Sequence, residues 1–191
     1  MSLKWLISWV MTFSLFKLLT GVEIRGKIHK SSPLLIASNH LSFLDPPLIG
    51  YTAFREVYFL AKPGLFAISR FFTWLITSYN AISLGTDGIK QAIRLLKEGK
   101  VVVIFPEGTR SRQGYLLPFN IGIGYLSINY NVPVVPVRII NSNKNFFSLM
   151  LRINKLKIIY GKPISPSGYE KNRTGYEKFT EIIRNAVEQL K

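Results

Sequence analysis

The sequence has no cysteine, only two histidines, and 10 acidic residues against 25 basic ones. Without cysteine there can be no disulfide, no thiolate metal site and no cysteine nucleophile. Having only His29 and His40 speaks against a His-rich metal site, and the HExxH helix face that binds zinc is missing. No metal and no cofactor is expected. The GxSxG elbow, the GxxxxGK[ST] phosphate loop and the EF-hand are missing as well. Gly122 and Gly124 begin a GxG, but Ser127 stands where the third glycine belongs and no buried strand precedes it, so a dinucleotide reading is set aside. His29 reads as a loop histidine.

Charge is sparse and one-sided. Only 18% of residues are charged, below the usual quarter or so of soluble proteins, and the formal net charge is +15. Between Glu107 and Glu170 there is no acidic side chain, while Arg110, Arg112, Arg138, Lys144, Arg152, Lys155, Lys157 and Lys162 all fall in that stretch. Such a field implies an anionic partner: nucleic acid, an acidic membrane face or a phosphorylated substrate. A solvated basic face that aids solubility is the plainer alternative for any one of these residues. Apolar residues make up 48% of the chain, which excludes disorder and leaves apolar surface expected to meet lipid. A length of 191 residues fits one domain with a real core.

Two short blocks carry the chemistry. NHLSFLD, from Asn39, places His40 five residues before Asp45, the pairing a general base needs if a carboxylate is to fix its tautomer and offset the charge it acquires. FPEGTRS, from Phe105, puts Glu107 and Arg110 on a Pro/Gly turn suited to an anionic, hydroxyl-bearing substrate. A helix cap at Asp45 and a structural ion pair at Glu107 and Arg110 are the plain alternatives.

The pattern around these blocks is that of an α/β fold. Residues 3–19 form an apolar helix with a thin polar stripe, too short in its uncharged part to span a bilayer comfortably. An interfacial anchor fits best, with Trp5, Trp9 and the flanking lysines at the headgroup boundary; a buried core helix and a tilted short span are the alternatives. Residues 22–29 read as a strand pair or hairpin, 33–38 as a buried strand delivering His40, and Asp45 with Pro46 and Pro47 as a capped helix start. Strands are expected at 57–61, 81–84 and 101–105. Helices are expected at 65–78, from Asp87 to Gly99, and at 121–130. Pro133 and Pro136 predict an edge or bulged strand at 132–137, and the basic stretch 149–160 alternates as a hairpin strand would. Tyr176, Phe179, Ile183 and Val187 mark an amphipathic C-terminal helix. The expected architecture is a single α/β domain, a mixed, mostly parallel sheet flanked by helices, with an N-terminal membrane-associated helix at 1–21 and the catalytic domain at 22–191.

In this order and spacing NHLSFLD, FPEGTRS and VPVVPV resemble the first, third and fourth blocks of the glycerolipid acyltransferase family that makes phosphatidic acid from lysophosphatidic acid. YFLAKPGLF at 58–66 also resembles a segment of that family, and the similarity covers about residues 38–137. The resemblance implies that His40 is the base, that Asp45 orients it, that Glu107, Gly108, Thr109 and Arg110 hold the glycerol phosphate, and that Lys62 adds a second cation. It implies acyl-CoA or acyl-carrier protein as donor, a lysophospholipid acceptor, and a membrane-associated enzyme on the cytoplasmic face, with no nucleic-acid partner. Without a cysteine or a serine elbow, direct transfer is favoured over an acyl-enzyme.

The chain departs from the family pattern at three places. The second block, AISLGTDG at 81–88, lacks its usual Arg, Gly64 replaces a commonly acidic residue, and Asn120 stands where Lys often follows PF. A different lysolipid acceptor is therefore the first alternative. The second is a non-catalytic basic lipid- or nucleic-acid-binding protein, which leaves both blocks unexplained; Phe146 and Phe147 near Lys144 are its only aromatic hint.

Overall fold

Two short aliphatic runs, Leu34–Ser38 (β2) and Val101–Ile104 (β5), lie side by side at the centre of the sheet, and every residue of β2 is buried. Apolar side chains on both faces are what a parallel strand covered on both sides requires. The computed structural model describes residues 3–28, 32–84 and 87–191; His29 and the Gly85–Thr86 part of the second block lie outside them. Within these residues the elements run α1 (Leu3–Thr20), β1 (Glu23–Arg25), β2, α2 (Asp45–Thr52), β3 (Tyr58–Ala61), a 3-10 turn (Pro63–Ala67), α3 (Arg70–Ser78), β4 (Ala81–Ser83), α4 (Gly88–Lys97), β5, α5 (Gly122–Tyr130), β6 (Val134–Ile140), α6 (Phe146–Met150), β7 (Lys157–Tyr160) and α7 (Arg173–Gln189).

The seven strands form one sheet in the order β1-β7-β6-β2-β5-β3-β4, parallel throughout except between β6 and β7. This is the mostly parallel mixed sheet that the helix and strand rhythm predicts. Alternation along the strands splits the core in two. Leu34, Ile36, Val101, Val103, Val135 and Val137 pack under α1, α2 and α6, whereas Leu35, Ala37, Val102 and Val134 pack under α4, α5 and α7. Gly124 explains itself here: a Cβ would lie 2.3 Å from the Tyr176 carbonyl oxygen, so the glycine lets α5 touch the backbone of α7.

Four local expectations are corrected. The strand pair or hairpin expected at 22–29 is replaced, in the described residues 22–28, by β1 alone, which pairs in parallel with β7, far along the chain. β6 is an interior strand, with β2 on one side and β7 on the other. Pro136 is tolerated at an offset in the pairing: its carbonyl accepts the Gly161 N–H at 2.8 Å, and pairing resumes between Val134 and Ile164 with one extra residue on the partner side, so the missing N–H falls in that offset. In the basic stretch only Lys157–Tyr160 is a strand, the residues before it being α6 and a turn. The helix expected at 65–78 is the 3-10 turn followed by α3.

The first helix belongs to the fold on one side. Trp5 is 2% exposed, sits in the core with Leu48 and Ile49, and meets Tyr79 edge to face. Trp9 donates its indole N–H to the Tyr51 carbonyl at 2.9 Å. The sequence pattern places both indoles at a headgroup boundary; in the fold Trp5 is instead buried and Trp9 is tied to α2. Removing a buried Trp side chain costs about 3–5 kcal/mol, so this face is structural. The opposite side leaves Leu6, Ile7, Val10 and Leu18 exposed.

Candidate functional site

The connection from β2 passes over β5 to reach β3, whereas that from β5 passes over β2 to reach β6. The crevice outside the C-terminal ends of such a pair is where open α/β sheets bind ligands, and both sequence blocks emerge there. Asn39 fixes the exit from β2. Its amide donates to the Ile139 carbonyl at 2.9 Å and accepts the Ile139 N–H at 2.7 Å, extending the β2–β6 ladder by a side chain.

His40 comes next, and the second block wraps it. The His40 N–H donates to Glu107 Oε1 at 2.7 Å, its carbonyl accepts the Ser111 N–H at 2.7 Å, and its ring stacks on Phe105 at 4.3 Å between centroids. Nδ1 lies 2.7 Å from Asp45 Oδ2. That oxygen also accepts the N–H groups of Leu41 at 2.6 Å and Ser42 at 2.8 Å, while Oδ1 accepts the Ser142 hydroxyl at 2.5 Å. Asp45 is 0% exposed. It is not the helix cap expected from sequence: Leu44 holds that position, and the carboxylate turns back onto the loop that carries His40. A buried carboxylate surrounded by donors accepts from Nδ1–H and leaves Nε2 of the imidazole as the basic nitrogen.

Glu107 has both oxygens occupied, Oε1 by His40 and Oε2 by the Leu117 N–H at 3.0 Å. Burial pushes its carboxyl above the ordinary carboxylate value, against these two backbone donors, which pull the other way. Its two oxygens thus brace His40 and the turn, at the residue for which the resemblance implies a part in holding the glycerol phosphate. Asn120 braces the same turn, donating its backbone and side-chain N–H groups to the Pro106 carbonyl at 2.9 and 2.8 Å. Gly108 takes a left-handed φ of +66° there, with a Cβ position only 3.0 Å from the Asn120 amide.

Arg110 is brought to the first block. Its guanidinium lies 3.5 Å from the centre of the Phe43 ring, and stacking of this kind holds the plane while leaving the N–H edge for an anion. Thr109 is exposed beside it. Lys62 is exposed at the C-terminal end of β3, the strand next to β5, and so stands on the same edge of the sheet.

Ser142, Asn39, Phe105 and Asn120 were not marked by sequence reasoning as members of this site. Asn39 and Phe105 sit inside the blocks and could have been found as polar and aromatic residues at the ends of buried strands. Ser142 carries no such signal, being 97 residues from Asp45. Ser142→Ala strips Oδ1 of its donor; it should cost about 1–3 kcal/mol of stability and lower kcat severalfold with both Michaelis constants unchanged, whereas Ser142→Thr should restore kcat. Thermal melts and steady-state rates separate the two effects; a loss of stability with kcat unmoved would make Ser142 structural only.

With this geometry in hand, the family described as Acyltransferase matches residues 21–140. The chloroplastic 1-acyl-sn-glycerol-3-phosphate acyltransferase of Brassica napus is 31% identical over 144 residues, 70% of this chain and 41% of that protein. The 1-acyl-sn-glycerol-3-phosphate acyltransferase of Borreliella burgdorferi is 29% identical over 182 residues, 89% of this chain and 69% of that one. The chain therefore spans less than half the Brassica protein and about two thirds of the Borreliella one. Among solved structures, the 1-acyl-sn-glycerophosphate (LPA) acyltransferase PlsC from Thermotoga maritima superposes with a TM-score of 0.74 at 26% identity, covering 97% of this chain and 78% of that one.

Proposed function

Because this chain belongs to the acyltransferase family, we propose that it transfers a fatty acyl group from an acyl thioester, acyl-CoA or acyl-carrier protein, to the free hydroxyl of 1-acyl-glycerol-3-phosphate, giving phosphatidic acid. The observation that carries the reading is the buried Asp45 carboxylate, held by Leu41, Ser42 and Ser142 and set 2.7 Å from Nδ1 of His40. Nε2 takes the proton from the acceptor hydroxyl as its oxygen attacks the thioester carbonyl. The new C–O ester bond forms, the C–S bond breaks, and the departing thiolate takes the proton back from the imidazolium. Asp45 offsets the ring's positive charge in between. General-base help is worth about 10²–10⁴-fold, so the rest must come from holding the two substrates in line.

For the acceptor phosphate the reading uses Arg110, stacked on Phe43, with Gly108 and Thr109 on the same turn and Lys62 across the edge. Arg110→Ala removes a charge-assisted contact worth about 1.5–3 kcal/mol, so the acceptor KM should rise roughly 10–100-fold with the donor KM unchanged. Separate Michaelis constants for the two substrates decide this; a change confined to the donor would move the phosphate site elsewhere.

The enzyme would work on the cytoplasmic face of a membrane. No helix among the described residues is long and apolar enough to cross a bilayer, so the reading rests on an interfacial contact through the exposed Leu6, Ile7, Val10 and Leu18 of α1, aided by the net charge of +15.

The direct test is to supply purified protein with lysophosphatidic acid and labelled acyl-CoA or acyl-carrier protein and to identify the lipid product. Phosphatidic acid supports the proposal. Transfer only to a lysolipid without a phosphomonoester would favour the alternative acceptor that the missing Arg of AISLGTDG suggests.

A further inference from the structure

The short helix α6 buries Leu149 and exposes Phe147, and Leu151 just past its end is exposed as well. Leu149 is fully buried, whereas Phe147 and Leu151, one helical turn apart, are 67% and 66% exposed. In the turn that follows, Ile153 is 72% exposed. Three large, strongly exposed apolar side chains within seven residues of chain are what a contact surface offers.

Two further observations say what the contact is. Lys144 and Lys155, which flank this segment in the chain, are exposed, and no acidic side chain occurs anywhere from residue 108 to 169. The ridge is also continuous with α1. The two helices pack together, and the Arg152 guanidinium rests on Gly21, just past the end of α1, with its Nε 2.8 Å from where a Cβ would stand. Leu18, 79% exposed, and exposed Lys17 lie in the last turn of α1, so apolar and cationic groups run on from one helix to the other. A second copy of this chain would set lysines against lysines. An anionic bilayer would take the apolar side chains among its acyl chains and the lysines among its headgroups.

We propose that α6 and the turn after it form a second bilayer contact, distinct from α1, with Phe147, Leu151 and Ile153 inserted into an anionic membrane and Lys144 and Lys155 at its surface. This rests on the membrane reading above and deepens it. α1, α2 and α6 all cover one face of the sheet, the face to which Phe105, the residue stacked under His40, also packs. Two contacts on that face would hold the catalytic edge in a fixed attitude to the lipid pool, where one helix alone would let the domain swing.

The test compares full-length wild type with the triple variant Phe147→Ser, Leu151→Ser, Ile153→Ser, the double variant Lys144→Gln, Lys155→Gln, and the α1 variant Leu6→Ser, Ile7→Ser, Val10→Ser. Each is sedimented with vesicles of phosphatidylcholine alone or mixed with phosphatidylglycerol. The triple variant should bind mixed vesicles at least about tenfold more weakly, the factor a few buried methylenes supply. The double variant should lose about fivefold per lysine on mixed vesicles and little on neutral ones. Both should acylate lysophosphatidic acid supplied as monomer at the wild-type rate. If triple and double variants bind as wild type while the α1 variant does not, the second contact is wrong and the membrane reading stands. Wild-type protein that binds neither vesicle overturns both. A triple variant that binds vesicles normally but changes the sedimentation coefficient from dimer to monomer would assign the ridge to a second copy and overturn the proposal.

Discussion

His40→Ala is expected to lower kcat by about 10²–10⁴-fold in a protein that still folds. The fold should survive because the neighbours hold the backbone at this position as well as the ring. The N–H of residue 40 stays on Glu107 and its carbonyl on the Ser111 N–H. Asp45 keeps three of its donors. What disappears is the nitrogen that takes the proton. His40→Asn sharpens the point: an amide can still donate toward Asp45 but has no basic nitrogen, and it should be as inactive as alanine. Circular dichroism and a thermal melt check the fold, and single-turnover acyl transfer checks the step.

Asp45→Asn should have the second largest effect. Three of the four donors around this side chain converge on Oδ2, and the one at Oδ1 is a hydroxyl. An asparagine can point its carbonyl oxygen at Nδ1 and the two backbone N–H groups and its amide at Ser142, whose hydroxyl can rotate to accept. The loop should therefore keep its shape. The negative charge is gone, however, so the imidazolium formed during transfer is no longer offset, and kcat should fall by about 10²–10⁴-fold, as expected for a base that has lost its carboxylate. Asp45→Ala is the less informative variant because it orphans buried donors and destabilises the loop as well. Equal loss of stability and of activity in the asparagine variant would mean that Asp45 matters only for folding.

What could be seen in the chain beforehand was whatever is encoded locally. The all-apolar runs of β2 and β5 and the HxxxxD and FPEGTRS blocks at their ends are short-range patterns, and the structure sets them side by side. Features that depend on distant partners were not visible. β1 looked like half of a hairpin because nothing near Glu23 reveals that its partner is Lys157. β6 looked like an edge or bulged strand because Pro136 forbids one hydrogen bond, and the bond it forbids falls in the offset between the Gly161 and Ile164 contacts of an interior strand. Trp5 looked interfacial because an apolar helix face carries no label saying whether lipid or a core will cover it. Glu107 was visible as a residue but its bonds were not, since only the fold turns its carboxylate inward onto the N–H groups of His40 and Leu117. Ser142 lies outside both blocks and became part of the site only because the turn after β6 returns to Asp45.

The measurement that bears most directly on direct acyl transfer by the His40–Asp45 pair is thiol release from an acyl thioester, followed with and without lysophosphatidic acid. Release should require the acceptor, one thiol should appear for each phosphatidic acid formed, and both should vanish together in His40→Ala. A burst of thiol in the absence of acceptor, or release and product formation that continue at the wild-type rate without the imidazole, would contradict it.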